Sequence, residues 1–180
     1  AKPVGTAAST QGAAASAVSA PAAGALAPSP VTLIALGDSL TAGAGDESGQ
    51  GFVGRVAAAI AAKPGREAST LVNLGQSGWT STELIDGQAG SPGELKQGVD
   101  AARAAPPGSV LATVLIGSND LWYVYQYGTV NPTPSADEDA AVAAYRKNLD
   151  RTVTEMQAAG PVVVVGLPDD YDSSGRLHLG

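Results

Sequence analysis

Three short segments of the sequence gather the small and polar residues that nucleophilic chemistry uses. They are Gly37-Asp38-Ser39-Leu40, Asn73–Gly78 and Gly117–Asp120. A serine on a tight turn is the residue type that acyl transfer needs as a nucleophile, and the oxyanion formed by its attack needs converging hydrogen-bond donors. Taken alone, each residue also has a structural interpretation: Ser39 as a helix N-cap, Gly75 as a turn glycine and Asn119 as an Asx-turn residue.

The elements around these segments alternate between apolar strands and helical patterns. Strands are predicted at Val31–Leu36, Thr70–Leu74, Ser109–Ile116 and Pro161–Leu167. Helices are predicted at Gly51–Lys63, at Ser91–Ala104 with Pro92 in its first turn, and at Asp137–Ala159. Strands that are nearly continuous in Val, Leu and Ile, separated by helices, are typical of a parallel sheet covered on both faces. The sequence therefore predicts a three-layer α/β sandwich, with the polar segments at the sheet edge where ligands bind.

The same segments, in this order, resemble the first three sequence blocks of the SGNH hydrolases, the GDSL esterase/lipase family. The matching residues are Gly37-Asp38-Ser39-Leu40, Gly75 and Gly117-x-Asn119-Asp120. The resemblance covers roughly Val31 to Leu167. It implies a flavodoxin-like α/β/α sandwich with a central parallel sheet, and a cofactor-free hydrolase that acts on carboxylic esters.

The resemblance also implies a role for each matching residue. Ser39 corresponds to the nucleophile of the family. The backbone N–H of Ser39, the backbone N–H of Gly75 and the side-chain amide of Asn119 correspond to the three oxyanion-hole donors, and the missing Cβ of Gly75 permits a close approach. Asp38 is interpreted as a cap that braces the turn through backbone hydrogen bonds.

The fourth block of the family departs from its usual pattern here. Family members carry Asp-x-x-His near the C-terminus, whereas the single histidine of this chain is His178 and Gly175 stands in the Asp position. Two explanations remain open. Either His178 is the general base and is oriented by Asp172, another acid or a backbone carbonyl, or the base lies in a segment absent from this sequence. A structural alternative for His178 is an exposed tail residue.

Composition excludes several classes of function. The 180 residues include 17 acids and 10 bases, so the net charge is −7, and no basic run suits a phosphate backbone. The absence of cysteine excludes thiolate catalysis and disulfides, and a single histidine excludes a multi-histidine metal site. We therefore expect no cofactor, no metal and no nucleic-acid partner. No apolar run approaches the ~20 residues of a membrane-spanning helix, so we expect no transmembrane segment.

The first 30 residues differ from the rest of the chain. They contain 12 Ala and 4 Pro, and Lys2 is their only charge. Such a segment cannot bury enough apolar surface to become ordered, so residues 1–30 are predicted to be a flexible tether. Residues 31–180 are predicted to form the hydrolase-like domain, and one of the two explanations above is that this domain lacks its usual C-terminal part. A tether of this kind suits an exported protein, secreted, periplasmic or at the cell surface, whose signal peptide has been removed.

The sequence hypothesis is a serine esterase that forms an acyl-enzyme on Ser39. The family implies short-to-medium acyl esters, lipids or acetylated glycans as substrates. Two alternatives remain: a non-catalytic, surface-tethered binding domain, and a glycan O-acetyltransferase.

Overall fold

A four-stranded parallel sheet forms the centre of the structure. The computed structural model describes residues 29–88, 90–121 and 135–166, with side chains in the last range from residue 139 onward. The strands are β1 (Thr32–Gly37), β2 (Thr70–Asn73), β3 (Val110–Leu115) and β4 (Val162–Gly166). Their order in the sheet is β2-β1-β3-β4, and all neighbours are parallel. Each strand lies within one residue of its predicted bounds, so the predicted parallel sheet is confirmed.

Helices cover both faces of the sheet. They are α1 (Ser39–Ala42), α2 (Gly51–Ala61), α3 (Ser81–Asp86), α4 (Glu94–Ala104) and α5 (Ser135–Ala158). The α2 side of the core contains Leu33 and Ala35, whereas Ile34 and Leu36 pack with residues of α3, α4 and α5 on the opposite side. Successive residues of a strand face opposite sides, so β1 supplies both cores. The predicted three-layer sandwich is confirmed.

The helices differ from the sequence prediction in several places. Helix α1 was not predicted, α2 ends at Ala61 rather than Lys63, and α5 begins at Ser135 rather than Asp137. Helix α4 begins at Glu94, so Pro92 precedes the helix and the predicted start at Ser91 is wrong. The connection before it packs closely on α3, since a Cβ on Gly93 would lie 2.1 Å from the carbonyl oxygen of Ile85. Helix α3 was not predicted. Its N-terminus is a capping box in which the Thr80 N–H donates to Glu83 Oε2 across 2.7 Å.

Two further predictions concern the N-terminal tether and the absence of a membrane-spanning segment. Only Ser29 and Pro30 of the predicted tether lie within the described residues. Among the helices of the described ranges, none combines the length and the apolar character that a bilayer crossing requires.

The first three strands end at one edge of the sheet. In the parallel register Ala35 pairs with Asn73, and Gly37 pairs with Leu115. The three polar segments therefore leave the sheet side by side, which is the arrangement that a ligand site at this edge needs.

Candidate active site

Ser39 begins the one-turn helix α1 directly after β1. The N-cap of this helix is Asp38, whose buried carboxylate accepts the Leu40 N–H through Oδ1 at 3.0 Å. The helix ends at Gly43, which has a left-handed φ of +98°. Ser39 is partly exposed, and within the described part of the chain neither its N–H nor its hydroxyl has a hydrogen-bond partner. The capping role belongs to Asp38, so both polar groups of Ser39 are available to a ligand.

The turn before Ser39 is fixed by contacts with three other elements. The Gly37 N–H donates to Glu94 Oε2 across 2.7 Å, and its carbonyl accepts the Gln76 N–H at 3.0 Å. The Asp38 N–H donates to the carbonyl of Leu115 at 3.3 Å. A Cβ on Gly37 would lie 2.1 Å from that same carbonyl oxygen. Only glycine fits here, and the turn that precedes Ser39 is held by α4, by the loop after β2 and by the end of β3.

Gly75 lies where the loop after β2 touches helix α1. A Cβ at this position would lie 2.6 Å from the backbone nitrogen of Ala42 and 2.8 Å from Cβ of Thr41. Asn73 links the same two segments, since its Nδ2 donates to the Thr41 carbonyl at 2.8 Å. Its Oδ1 accepts the Gly75 N–H at 3.1 Å. Gly75 therefore permits a close approach to helix α1, while its N–H already has an intramolecular partner.

A second glycine of this loop, Gly78, was not singled out by the sequence. Its φ is +82°, it is exposed, and a Cβ would meet open space. Within the described ranges its N–H has no hydrogen-bond partner. The available signal was the repeated glycine in Gly75-Gln76-Ser77-Gly78. Gly78 is thus the glycine of this loop with a free backbone donor.

The end of β3 holds this loop through two neighbouring side chains. Asn119 Nδ2 donates to the carbonyl of Trp79 at 2.8 Å. Asp120 accepts the Ser81 N–H at 2.9 Å and also the Ser81 hydroxyl, at the start of α3. A side-chain amide nitrogen carries two hydrogens, and the bond to Trp79 uses one of them. The other N–H of Asn119 remains for a ligand.

Glu94 is a fully buried carboxyl group beneath the turn that precedes Ser39. Burial raises its pKa to about 8, and the nearby charge of Asp38 adds to the rise. The Gly37 N–H opposes this change by favouring the ionised form. Sequence reasoning missed this residue, because an acid in the first turn of a helix has an ordinary explanation.

An open pocket of about 610 Å³ lies beside α1. Its apolar lining comes from Leu40, Phe52 and Leu115, and its charged lining from Asp46, Glu47 and Arg55. Asp46 pairs with Arg55 at 2.9 Å. Hydrogen bonds from Ser48, with a further one from Arg55, lower the pKa of Asp46 to about 2. The pocket can accept a small organic group next to the residue that follows Ser39.

The family comparison identifies the kind of protein to which this site belongs. Residues 35–178 match the GDSL-like Lipase/Acylhydrolase family. The chain belongs to this family. The matched range includes Ser39, Gly75 and Asn119 and extends to His178.

Several solved structures are similar to this chain, and the two with a TM-score of 0.50 or above share its fold. YXIM from Bacillus subtilis is 15% identical with a TM-score of 0.51, over 81% of this chain and 36% of that protein. A G-D-S-L family protein from Desulfitobacterium hafniense DCB-2 is 14% identical with a TM-score of 0.50, over 78% and 61% of the two chains. AlinE4, an SGNH-hydrolase family esterase, is 22% identical with a TM-score of 0.47, over 76% of this chain and 58% of AlinE4. This chain thus spans less than two thirds of each. Among curated proteins, none matches it.

In this GDSL-like chain, three of the four predicted site residues lie within the described structure. Ser39, Gly75 and Asn119 all follow strands at one edge of the sheet, and the contacts of α1 and of Trp79 connect them through the loop after β2. His178, with Asp172 and Gly175, lies outside the described residues.

Proposed function

We propose that the protein is a serine ester hydrolase in which the Ser39 hydroxyl attacks a carboxylic ester and forms an acyl-enzyme. The observation that carries the proposal is that Ser39 has no hydrogen-bond partner for its N–H or its hydroxyl within the described residues. A serine that served as N-cap would direct its oxygen to a backbone N–H of the first turn, but Asp38 already accepts the Leu40 N–H. The serine therefore has no capping task, and it lies in the Gly37-Asp38-Ser39-Leu40 segment, which resembles the nucleophile block of the family to which the chain belongs.

The oxyanion of the tetrahedral intermediate needs donors that are in place before the reaction. The Ser39 N–H and the second N–H of Asn119 are two such donors. The loop after β2 offers two candidates for a third. The Gly75 N–H is shared with Asn73, whereas the Gly78 N–H is free in the described structure. Removal of one oxyanion donor typically lowers turnover about 10²–10³-fold.

Attack also needs a base that accepts the serine proton. His178 is the proposed base, with Asp172 or a backbone carbonyl to orient its ring. The alternative is that the base comes from a segment of the protein outside this sequence. The imidazole takes the hydroxyl proton, then gives it to the leaving alcohol, and water repeats the sequence to release the acid. If His178 is the base, activity rises with pH around the ordinary histidine pKa of ~6.5, and His178→Ala abolishes this rise.

The proposed substrates are short-to-medium acyl esters of small molecules, lipids or acetylated glycans. The pocket beside α1 supports this choice, because it is open and has both apolar and charged walls. A substrate of this kind outside the cell agrees with the proposed export of the protein to the surface or the medium.

Hydrolysis of 4-nitrophenyl acetate and butyrate by the wild type and by Ser39→Ala tests the proposal. We expect Ser39→Ala to lose at least about 10³-fold in turnover, since the nucleophile is removed. Ser69→Ala, which changes a partly exposed serine just before β2, at the opposite end of the sheet from the site, is the matched control and is expected to keep the wild-type rate. Equal rates in the wild type and Ser39→Ala would contradict the proposal. Ligand binding without turnover would favour the binding-domain alternative, and acyl transfer to an added sugar would favour the O-acetyltransferase.

A further inference from the structure

A buried carboxyl group contacts the nucleophile turn from the side opposite to the solvent. Glu94 is the first residue of α4 and is fully buried. Its Oε2 accepts the Gly37 N–H at 2.7 Å, across 57 residues of sequence. Its Oε1 is equally buried and has no hydrogen-bond partner in the described part of the chain. Burial of a carboxyl group is costly, and the Gly37 N–H, together with the nearby Gln76 N–H, compensates only part of the cost.

The Gly37 N–H has few other ways to be satisfied. A Cβ on Gly37 would clash with the Leu115 carbonyl on one side and with Thr41 Oγ1, 2.3 Å away, on the other. The residue is therefore enclosed, and water cannot easily replace Glu94. Gly37 is followed by the cap Asp38 and then by Ser39, so a shift of its backbone moves the nucleophile.

We propose that Glu94 is a positioning residue of the hydrolase: its carboxyl group holds Gly37, and through Gly37 the turn that presents Ser39 to the ester. The role rests on the proposed function of Ser39. Glu94 itself touches neither the substrate nor the reacting atoms in this assignment.

The protonation state of Glu94 gives the role a pH dependence. Burial, with the charge of Asp38, raises the pKa of Glu94 to about 8, so the group is neutral at pH 7. Helix α4 packs on β1, α3 and α5. Among the charged groups of the described residues, Asp38, which directly follows β1, is the one whose charge acts on Glu94. Ionisation above pH 8 would put a second negative charge next to the turn on which an oxyanion must form. Like charges repel strongly where water is excluded, so turnover should fall on the alkaline side.

Two substitutions separate the hydrogen bond from the charge. Glu94→Gln keeps an oxygen that can accept the Gly37 N–H but never ionises. Glu94→Leu keeps a similar volume and removes the acceptor. Thr152→Val is the matched control, because Thr152 is also buried and its hydroxyl bonds to the Asn148 carbonyl on α5. The measurements are kcat and KM for 4-nitrophenyl acetate from pH 6 to 10, and the melting temperature of each variant.

We expect Glu94→Gln to keep kcat within about threefold at pH 7 and to lose the alkaline fall near pH 8. Glu94→Leu is expected to lower kcat about tenfold or more with little change in KM, whereas Thr152→Val lowers the melting temperature without this loss. A Glu94→Leu protein with wild-type kcat, or a Glu94→Gln protein with the wild-type alkaline fall, would overturn the proposal. If Glu94→Leu does not fold, the pH profile of Glu94→Gln decides.

A measurement that does not depend on catalysis distinguishes this inference from the proposed function. The amide ¹H and ¹⁵N shifts of Gly37 should titrate near pH 8 in the wild type and should not titrate in Glu94→Gln. A titrating amide in a protein that hydrolyses no ester would uphold the contact and reject the proposed function. Hydrolysis that depends on Ser39, with a Gly37 amide that does not titrate, would reject the role of Glu94 alone.

Discussion

Asn119 donates a side-chain N–H to the carbonyl oxygen of Trp79 across 2.8 Å. Trp79 follows the loop that contains Gly75 and Gly78, so the bond ties the end of β3 to the loop after β2. Asn119 therefore has two tasks in this account: one N–H positions the loop, and the other is proposed to stabilise an oxyanion.

Asn119→Ala should remove both tasks. We expect kcat for a chromogenic acetate to fall about 10²–10³-fold with little change in KM, because the lost donor acts in the transition state. We also expect a loss of about 1–3 kcal/mol in the free energy of unfolding, measured in urea, because the Trp79 carbonyl loses its donor. Asn148→Ala is the control, since this amide donates to the Ser81 and Thr82 hydroxyls and has no proposed catalytic task. An Asn119→Ala enzyme that kept wild-type kcat would remove the residue from the mechanism.

The two glycines of the loop after β2 should respond differently to alanine. Gly75→Ala puts a methyl group 2.6 Å from the Ala42 nitrogen, so helix α1 must move. We expect it to cost about 1–3 kcal/mol of stability and to lower kcat. Gly78→Ala meets open space, and its cost is the left-handed φ, about 1–2 kcal/mol. Both variants keep the backbone N–H. Urea unfolding together with initial rates checks the contrast, and a Gly75→Ala protein with wild-type stability and kcat would contradict it.

The contact between Ser81 and Asp120 should stabilise the start of α3. Ser81 is buried, and Asp120 accepts both its N–H and its hydroxyl. A double-mutant cycle with Ser81→Ala and Asp120→Asn is expected to give a coupling of about 1–2 kcal/mol in urea unfolding. The exposed pair Lys96–Asp100 is the control, since such pairs couple by less than about 0.5 kcal/mol. Equal coupling in the two pairs would show that the Ser81 contact contributes no more than a surface ion pair.

Glu94 should make the stability of the protein fall as pH rises. Its pKa is about 8 in the folded state against an ordinary value of 4.5. Between these two values the folded state binds more protons than the unfolded state, so the free energy of unfolding decreases with pH. The contribution is on the order of a few kcal/mol, complete below the lower value and lost by the upper one. Urea unfolding from pH 4 to 9 in wild type and Glu94→Gln isolates it as their difference, and parallel curves would refute it.

The strands could be predicted because each is an apolar run that stops at a small or polar residue. Ile34 and Leu36 alternate with Leu33 and Ala35, and a sheet buried on both faces needs apolar residues at all four positions. Helix α3 was not predicted because it has only six residues and its one signal in the sequence is the Thr80–Glu83 capping box. The start of α4 was placed too early because the close packing of Gly93 on Ile85 is a tertiary contact.

In the candidate site, too, local features could be predicted from the sequence and contacts between distant residues could not. Ser39 and its cap Asp38 are neighbours in sequence, so the turn could be predicted from the residues around it. The partners that hold the turn are distant: Glu94 reaches Gly37 and Asn73 reaches Thr41 only because the sheet brings their elements together. The sequence indicated the close approach of Gly75 but not the local bond from its N–H to Asn73, because a second bond to the distant Thr41 orients the Asn73 side chain.

Covalent labelling of Ser39 tests the central claim most directly. A fluorophosphonate forms a bond between phosphorus and an activated serine oxygen and releases fluoride, so mass spectrometry of the digested protein locates the reactive residue. The account predicts a single adduct on the peptide that contains Ser39, present in wild type and Ser69→Ala and absent in Ser39→Ala. A folded wild-type protein that stays unlabelled, or an adduct that persists in Ser39→Ala, would contradict it.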